Sequence, residues 1–256
     1  MKNVPKRQPE LADPILDAIY RDAALSLAKD IDIFYQDRAE EIKMLSSHGN
    51  ISKLVEVGCG DGGLAYHVAR RLDKTEVIAE DVDPIAISEA KKRFSAPNLT
   101  YQVGSVYSLS KRHKDLDRVV VKDSFHHFDD LRSALKQINS SLKHEGGLIG
   151  WDLGRDRFYN ELCIKNPDFE KLATEIQEKR RKSREKAIEF LESLGPKGNA
   201  IMSYQAAYTY KEMKRTLTNT GFDVLMIGPD EKRGYGLFAV KVKPGTKSDI
   251  LLMPCL

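Results

Sequence analysis

The chain has 256 residues, 41% of them hydrophobic, which is long enough for one well-buried α/β domain with a helical elaboration. A formal charge of +3 is close to balance and does not argue for a nucleic-acid protein. Cys59, Cys163 and Cys255 are an odd number without CxxC spacing, so neither a disulfide framework nor a zinc site is indicated and a reducing cytosol is the simplest home. The opening MKNVPKRQPE is basic without an apolar run, no stretch is long enough to span a bilayer, and MPCL has its cysteine second to last and not fourth. A soluble cytoplasmic protein, monomer or homodimer, with no membrane partner is expected.

The first ten residues read as disordered. Positions 13–45 read as two helical pieces broken near Asp30 to Ile33, with Leu16, Ile19, Tyr20, Ala24 and Leu27 at helical spacing. Then comes LVEVGCGDGG, Leu54 to Gly63, an apolar strand running into glycines flanked by Glu56 and Asp61. Glycines there let the backbone turn tightly and let a ligand approach the next helix. Gly58, Gly60 and Gly63 also satisfy the dinucleotide pattern GxGxxG, a weak signal alone. The two acids separate the readings. A pyrophosphate on a helix N-terminus wants amides and positive charge, whereas S-adenosylmethionine (SAM) has no phosphate and carries a sulfonium and an ammonium.

An α/β nucleotide crevice also asks for an acid about twenty positions on, to accept from ribose hydroxyls. Asp81 ends the strand expected over 75–80 and meets that demand; Asp83, just before Pro84, competes for it but suits an N-cap. A helix over 84–94, strands over 99–103 and 118–122, a helix over 131–142 and a strand over 147–152 continue the alternation, which implies right-handed crossovers and a parallel sheet. Positions 168–194 read as one long charged helix with Asp168 as N-cap, ending at Gly195 and Pro196. Its block KRRKSREK, 179–186, reads as a solvated face compensated by Glu175, Glu178, Glu185 and Glu189, with an RNA patch as the alternative. A helix over 209–219 and the strands FDVLMI and LFAVKV, joined by a Gly- and Pro-rich turn, close the chain as a hairpin.

EVGCGDGG, DVDPIAISEAKKR, VVVKDSFHHFDD and LKHEGGLIGWD, in that order and at these separations, resemble the class I SAM-dependent methyltransferases of the small-molecule type, of the methyltransferase domain 11/25 kind. The resemblance is strong over 53–152 and moderate over 221–242. It implies a Rossmann-like, doubly wound seven-stranded sheet with the last strand antiparallel, a SAM cofactor across the carboxyl ends of the first, second and fourth strands, and S-adenosylhomocysteine (SAH) as product. The implied organisation is an N-terminal helical segment over 1–50 capping the cofactor, a SAM-binding core over 51–152, a helical substrate lid over 153–209, a closing helix and hairpin over 210–245 and a tail.

Carried onto this sequence, the cofactor site is Glu56, Gly58, Cys59, Gly60, Asp81, Val82, Ser105, Val106 and Asp123, with Lys122 nearby. Relatives usually place an acid where Ser105 stands, and a serine hydroxyl is a neutral, weaker acceptor for the adenine amino group. Tyr20, Tyr35 and Arg38 are expected as core aromatics and a solvated arginine, with cofactor contact as the alternative. His126 and His127 are the candidate bases, with loop packing as the competing role. Trp151, Asp152 and Arg155 are expected at the pocket mouth in contact with substrate, Trp151 equally serving as core. The paired histidines do not make a metal site, since adjacent loop positions rarely chelate together. The expected reaction is methyl transfer to a small organic acceptor. The alternatives are an RNA or protein methyltransferase using 179–186, a nicotinamide-dependent oxidoreductase (NAD) and a non-catalytic SAM-binding protein.

Overall fold

The computed structural model describes residues 28–46, 51–154, 169–183, 206–229 and 234–242, with single positions between 186 and 194. Helix α1 (Ala28–Leu45) precedes β1 (Lys53–Val57), α2 (Gly63–Arg71), β2 (Glu76–Asp81), α3 (Pro84–Arg93) and β3 (Leu99–Val103). A 3-10 turn (Val106–Ser108) leads into the short α4 (Leu109–Arg112) and β4 (Leu116–Lys122); a second 3-10 turn (Phe125–His127), α5 (Leu131–Ser141) and β5 (Leu142–Leu153) follow. Then come α6 (Phe169–Lys182), α7 (Tyr210–Thr218), β6 (Phe222–Pro229) and β7 (Gly234–Lys241).

The seven strands form one sheet in the order β3-β2-β1-β4-β5-β7-β6. β3 to β5 run parallel, while β7 is antiparallel to both β5 and β6, as the hairpin reading and the expected topology require. Strand order reverses between β1 and β4, which opens a crevice at their carboxyl ends. Leu116 to Val121 are all buried, the pattern of a strand covered on both faces. Successive residues of β1 go to opposite layers: Leu54 joins Leu64, Val68 and Ile42 of the helices on one face, Val55 and Val57 join Leu135, Ile138 and Leu217 on the other.

Two helix expectations are corrected. Residues 30–33 lie inside the continuous α1, whose Ala39 and Ile42 are fully buried in the layer of α2; tertiary packing overrides a local sequence that favours a break. The single long helix expected over 168–194 ends as α6 at Lys182, and Ser183, just beyond it, accepts through its hydroxyl from the Lys186 amide at 3.3 Å. Asp168, Arg155 and Tyr20 lie outside the described residues. Strand β5 begins at Leu142, five residues before the expected start, because Leu142 pairs with Leu116 ahead of an irregularity in the ladder. Gly154 and Tyr208 form a parallel bridge, so the segment between them leaves and rejoins the core at one place. Among the described residues no helix is long and apolar enough to cross a membrane.

Helix α7 starts on a complete capping box: Thr209 Oγ1 accepts from Glu212 N at 3.1 Å and Glu212 Oε2 accepts from Thr209 N at 2.9 Å. Thr209→Ala is expected to lower stability by about 1 kcal/mol, read as a shifted urea midpoint at unchanged slope.

Candidate active site

The turn between β1 and α2 builds one wall of the crevice. Gly58 N and Cys59 N donate to the Glu80 carbonyl of β2 at 2.8 and 3.0 Å, folding the turn back over the neighbouring strand. Gly58 has φ +73°, and a Cβ there would lie 2.8 Å from the Ser124 Cβ in the loop after β4, so only glycine fits. Of the later glycines, Gly60 at φ +50° and Gly62 at φ +78°, the N-cap of α2, share the left-handed backbone and Gly63 does not.

Four acids meet at this turn, and they are not equivalent. Asp83 caps α3, accepting from Ile85 N at 2.8 Å, as its place before Pro84 suggested. Asp81 is held by amides, Oδ2 accepting from Gly60 N at 2.8 Å and Oδ1 from Asp83 N at 3.0 Å. Burial pushes its carboxyl up and those amides pull it down, with a net rise. Asp61 accepts from the Tyr35 hydroxyl at 3.0 Å and from Gly63 N at 3.1 Å, and lies 3.6 Å from Arg93 Nη1. Glu56 is different. It is 3% exposed, and its Oε2 has no hydrogen-bond partner among the described residues. Burial pushes its carboxyl up to about 8, Lys122 opposing and Asp61 and Asp81 adding to the rise. A buried carboxyl with one oxygen unanswered, beside two further acids, is suited to a ligand cation and hostile to a phosphate.

Helix α1 covers this wall. The Tyr35 ring lies where a Cβ on Gly63 would stand 2.5 Å from it, and Lys122 Nζ sits 5.2 Å from the Tyr35 ring centroid. Lys122 is ion-paired with Asp123 at the end of β4. Arg38, expected as solvated, is instead 6% exposed: its guanidinium lies 5.1 Å from the Trp151 ring centroid and its Nη1 donates to both Glu41 oxygens at 2.8 and 3.0 Å. A guanidinium is weakly hydrated and stacks on indole, so burial is tolerated.

After β3, Ser105 caps the 3-10 turn, its Oγ accepting from Tyr107 N at 3.3 Å, and Val106 is buried behind it. At the ends of β4 and β5, Asp152 accepts three times: from His126 N at 2.8 Å, from His126 Nδ1 at 2.5 Å and from Leu153 N at 2.7 Å. A carboxylate only accepts, so the proton of His126 sits on Nδ1 and Nε2 is the basic nitrogen. The His127 ring lies 4.0 Å from that of His126, and burial, with His126 adding, holds its imidazole well below the ordinary histidine range. Trp151, expected either at the pocket mouth or in the core, is 5% exposed and packs in the core layer beneath Arg38; Asp152, expected at the mouth, is 4% exposed and serves His126.

The Glu56 carboxyl sets a pH dependence. In the folded chain it keeps its proton to about pH 8, against an ordinary value of 4.5, so folding takes up a proton between those values. Stability contributed by the neutral form is full below the lower value and is lost as pH rises through the upper one. The ligand-free protein is therefore expected to lose stability from about pH 5 to 8, and Glu56→Gln to flatten that slope in urea titrations.

Comparison with known proteins agrees with the fold. Residues 54–146 match the family model described as Methyltransferase domain. An uncharacterized methyltransferase of Mycobacterium tuberculosis (strain ATCC 25618 / H37Rv) is 30% identical over 95 residues, 37% of this chain and 47% of that protein. A malonyl-(acyl-carrier protein) O-methyltransferase of Priestia megaterium (strain DSM 319 / IMG 1521) is 26% identical over 105 residues, 41% of this chain and 38% of that protein. The chain thus spans less than half the length of these curated relatives. Among solved structures, the plantazolicin methyltransferase BpumL in complex with SAH superposes with a TM-score of 0.65 at 15% identity, covering 91% of this chain and 92% of that one. A TehB-like SAM-dependent methyltransferase from Corynebacterium glutamicum gives 0.56 at 14% identity, covering 90% and 100%. Residues 54–146 thus match a methyltransferase domain, and the strand order with its antiparallel last strand is the fold of the solved methyltransferases on which the chain superposes.

Proposed function

We propose that the chain binds SAM in the β1–β2–β4 crevice and transfers its methyl group to a small organic acceptor. The observation that carries this reading is the buried, unpartnered Oε2 of Glu56 beside Asp61 and Asp81, a wall that suits a cationic donor. The residues present fit the cofactor. Glu56 would meet its positive end, the backbone of Gly58, Cys59 and Gly60 would let it approach, and Asp81, with Val82 beside it, would accept from the ribose hydroxyls. Ser105 and the Val106 amide would meet adenine, and Asp123 would lie by the methionine end. When bound, the cofactor supplies a methyl group already activated on sulfur, so the protein's part is alignment and exclusion of water.

His126 is the residue best prepared to take a proton from the acceptor. Asp152 fixes its tautomer and steadies the imidazolium that forms, while His127, kept neutral, packs against it. This favours an acceptor that must lose a proton from oxygen, nitrogen or carbon. Relatives named for plantazolicin and for a malonyl-acyl carrier support an organic acceptor of that general kind.

Calorimetric titration tests the cofactor. SAM and SAH are expected to bind, NADH is not, and Asp81→Ala is expected to weaken SAH by tenfold or more, about 1.4 kcal/mol per factor of ten. Binding of NADH alone would replace the reading with an oxidoreductase. Once an acceptor is found by screening hydroxyl, amine and carbon acids with radiolabelled donor, His126→Ala should lower kcat by about a hundredfold and leave SAH affinity within a few-fold. Unchanged turnover would mean that alignment alone suffices.

A further inference from the structure

Glu80, one residue before Asp81, is fully buried and saturated with donors. Its Oε1 accepts from Gln102 Nε2 at 2.6 Å and from Arg112 Nε at 3.0 Å, and lies 2.7 Å from His113 Nε2, while Oε2 accepts from Arg112 Nη2 at 2.5 Å. The same guanidinium continues outward. Nη2 also donates to the Ser105 carbonyl at 2.9 Å, and Nη1 to the Ser108 hydroxyl at 2.6 Å. Arg112 thus grips both ends of the 3-10 turn 106–108 and ties them to β2. The fit is close: a Cβ on Gly104 would lie 2.7 Å from the Glu80 carboxylate and 2.8 Å from Arg112 Nη2. The Glu80 carbonyl, in turn, holds the amides of Gly58 and Cys59. One residue of β2 therefore connects the glycine turn, Asp81 and the Ser105 loop.

The Ser105 hydroxyl is engaged in capping its own turn. Nothing charged at that position holds the loop in place for a ligand, and the planar fork of Arg112 does so from behind. We propose that Arg112, braced by Glu80, is a positioning residue that fixes the Ser105–Val106 loop for the adenosine half of the cofactor. This rests on the SAM reading of the crevice. The guanidinium touches the Ser105 carbonyl, the Ser108 hydroxyl and a buried acid, so its effect falls on cofactor affinity through loop order.

The test is calorimetric binding of SAH and of 5′-methylthioadenosine, which lacks the amino-acid end, to the wild type, Arg112→Ala and Arg112→Lys. Lysine keeps a charge beside Glu80 without the fork, and serves if the alanine variant does not fold. Arg112→Ala is expected to weaken both ligands by the same factor, about tenfold or more, and Arg112→Lys by less but again equally, since the loss lies in the half the ligands share. A purely structural staple would lower the melting temperature and leave the affinities of the folded variants unchanged; affinities within twofold of wild type, or a loss confined to SAH, overturn the proposal. A wild type that binds neither ligand overturns the cofactor reading and this inference with it.

Discussion

Burial of the Glu56 carboxyl at the end of β1 is the constraint around which the crevice is arranged. An acid removed from water must find donors, give up its ionised form or await a cation. The surrounding acids have found donors: Asp81 takes two amides, Asp83 caps a helix, and Asp61 takes the Tyr35 hydroxyl with Arg93 nearby. Lys122, whose charge opposes the rise, is itself ion-paired with Asp123. What remains is a negative wall with one unsatisfied oxygen, in a crevice made by the reversal of strand order between β1 and β4.

Glu80 shows the opposite outcome for the same residue type one strand away. Burial pushes its carboxyl up, but bonds from Arg112, His113 and Gln102 outweigh it and hold the group below the ordinary range. Removing one partner of such a buried pair is costly because the other is stranded, which is how a saturated acid makes a firm joint. The contrast separates the two roles physically. A carboxylate with both oxygens answered holds backbone segments together, whereas one with an oxygen left unanswered leaves an interaction for a ligand to complete.

On the other side of the crevice the organising element is the approach of the loop after β4 to the end of β5. Asp152 accepts both the amide and the ring proton of His126, so a single carboxylate caps the 3-10 turn and sets the imidazole tautomer. Helix α1 reaches both sides, laying Arg38 on Trp151 and Tyr35 against the glycine turn. These contacts join segments from 26 positions apart, His126 and Asp152, to more than a hundred, Arg38 and Trp151, and they make a site of residues that are unremarkable singly.

Local sequence determined what local physics governs. The alternation of apolar runs with helical spacing, the glycines after Val57 and Asp83 before Pro84 each carry their own geometric reason, and the elements from β1 to α5 begin within a residue or two of where those signals put them, whereas β5 and β7 begin earlier. Tertiary structure decided what depends on distant partners. Arg38 reads as a surface charge until Trp151 is brought beneath it, residues 30–33 read as a break until α1 packs on α2, and Asp152 reads as a mouth residue until His126 meets it. Glu80 and Arg112 gave no signal at all, being 32 positions apart in the chain and joined only when β2 and α4 come together. Burial and pairing are properties of the assembled neighbourhood, so a carboxylate's charge, partner and use are fixed only when the strands around it are in place.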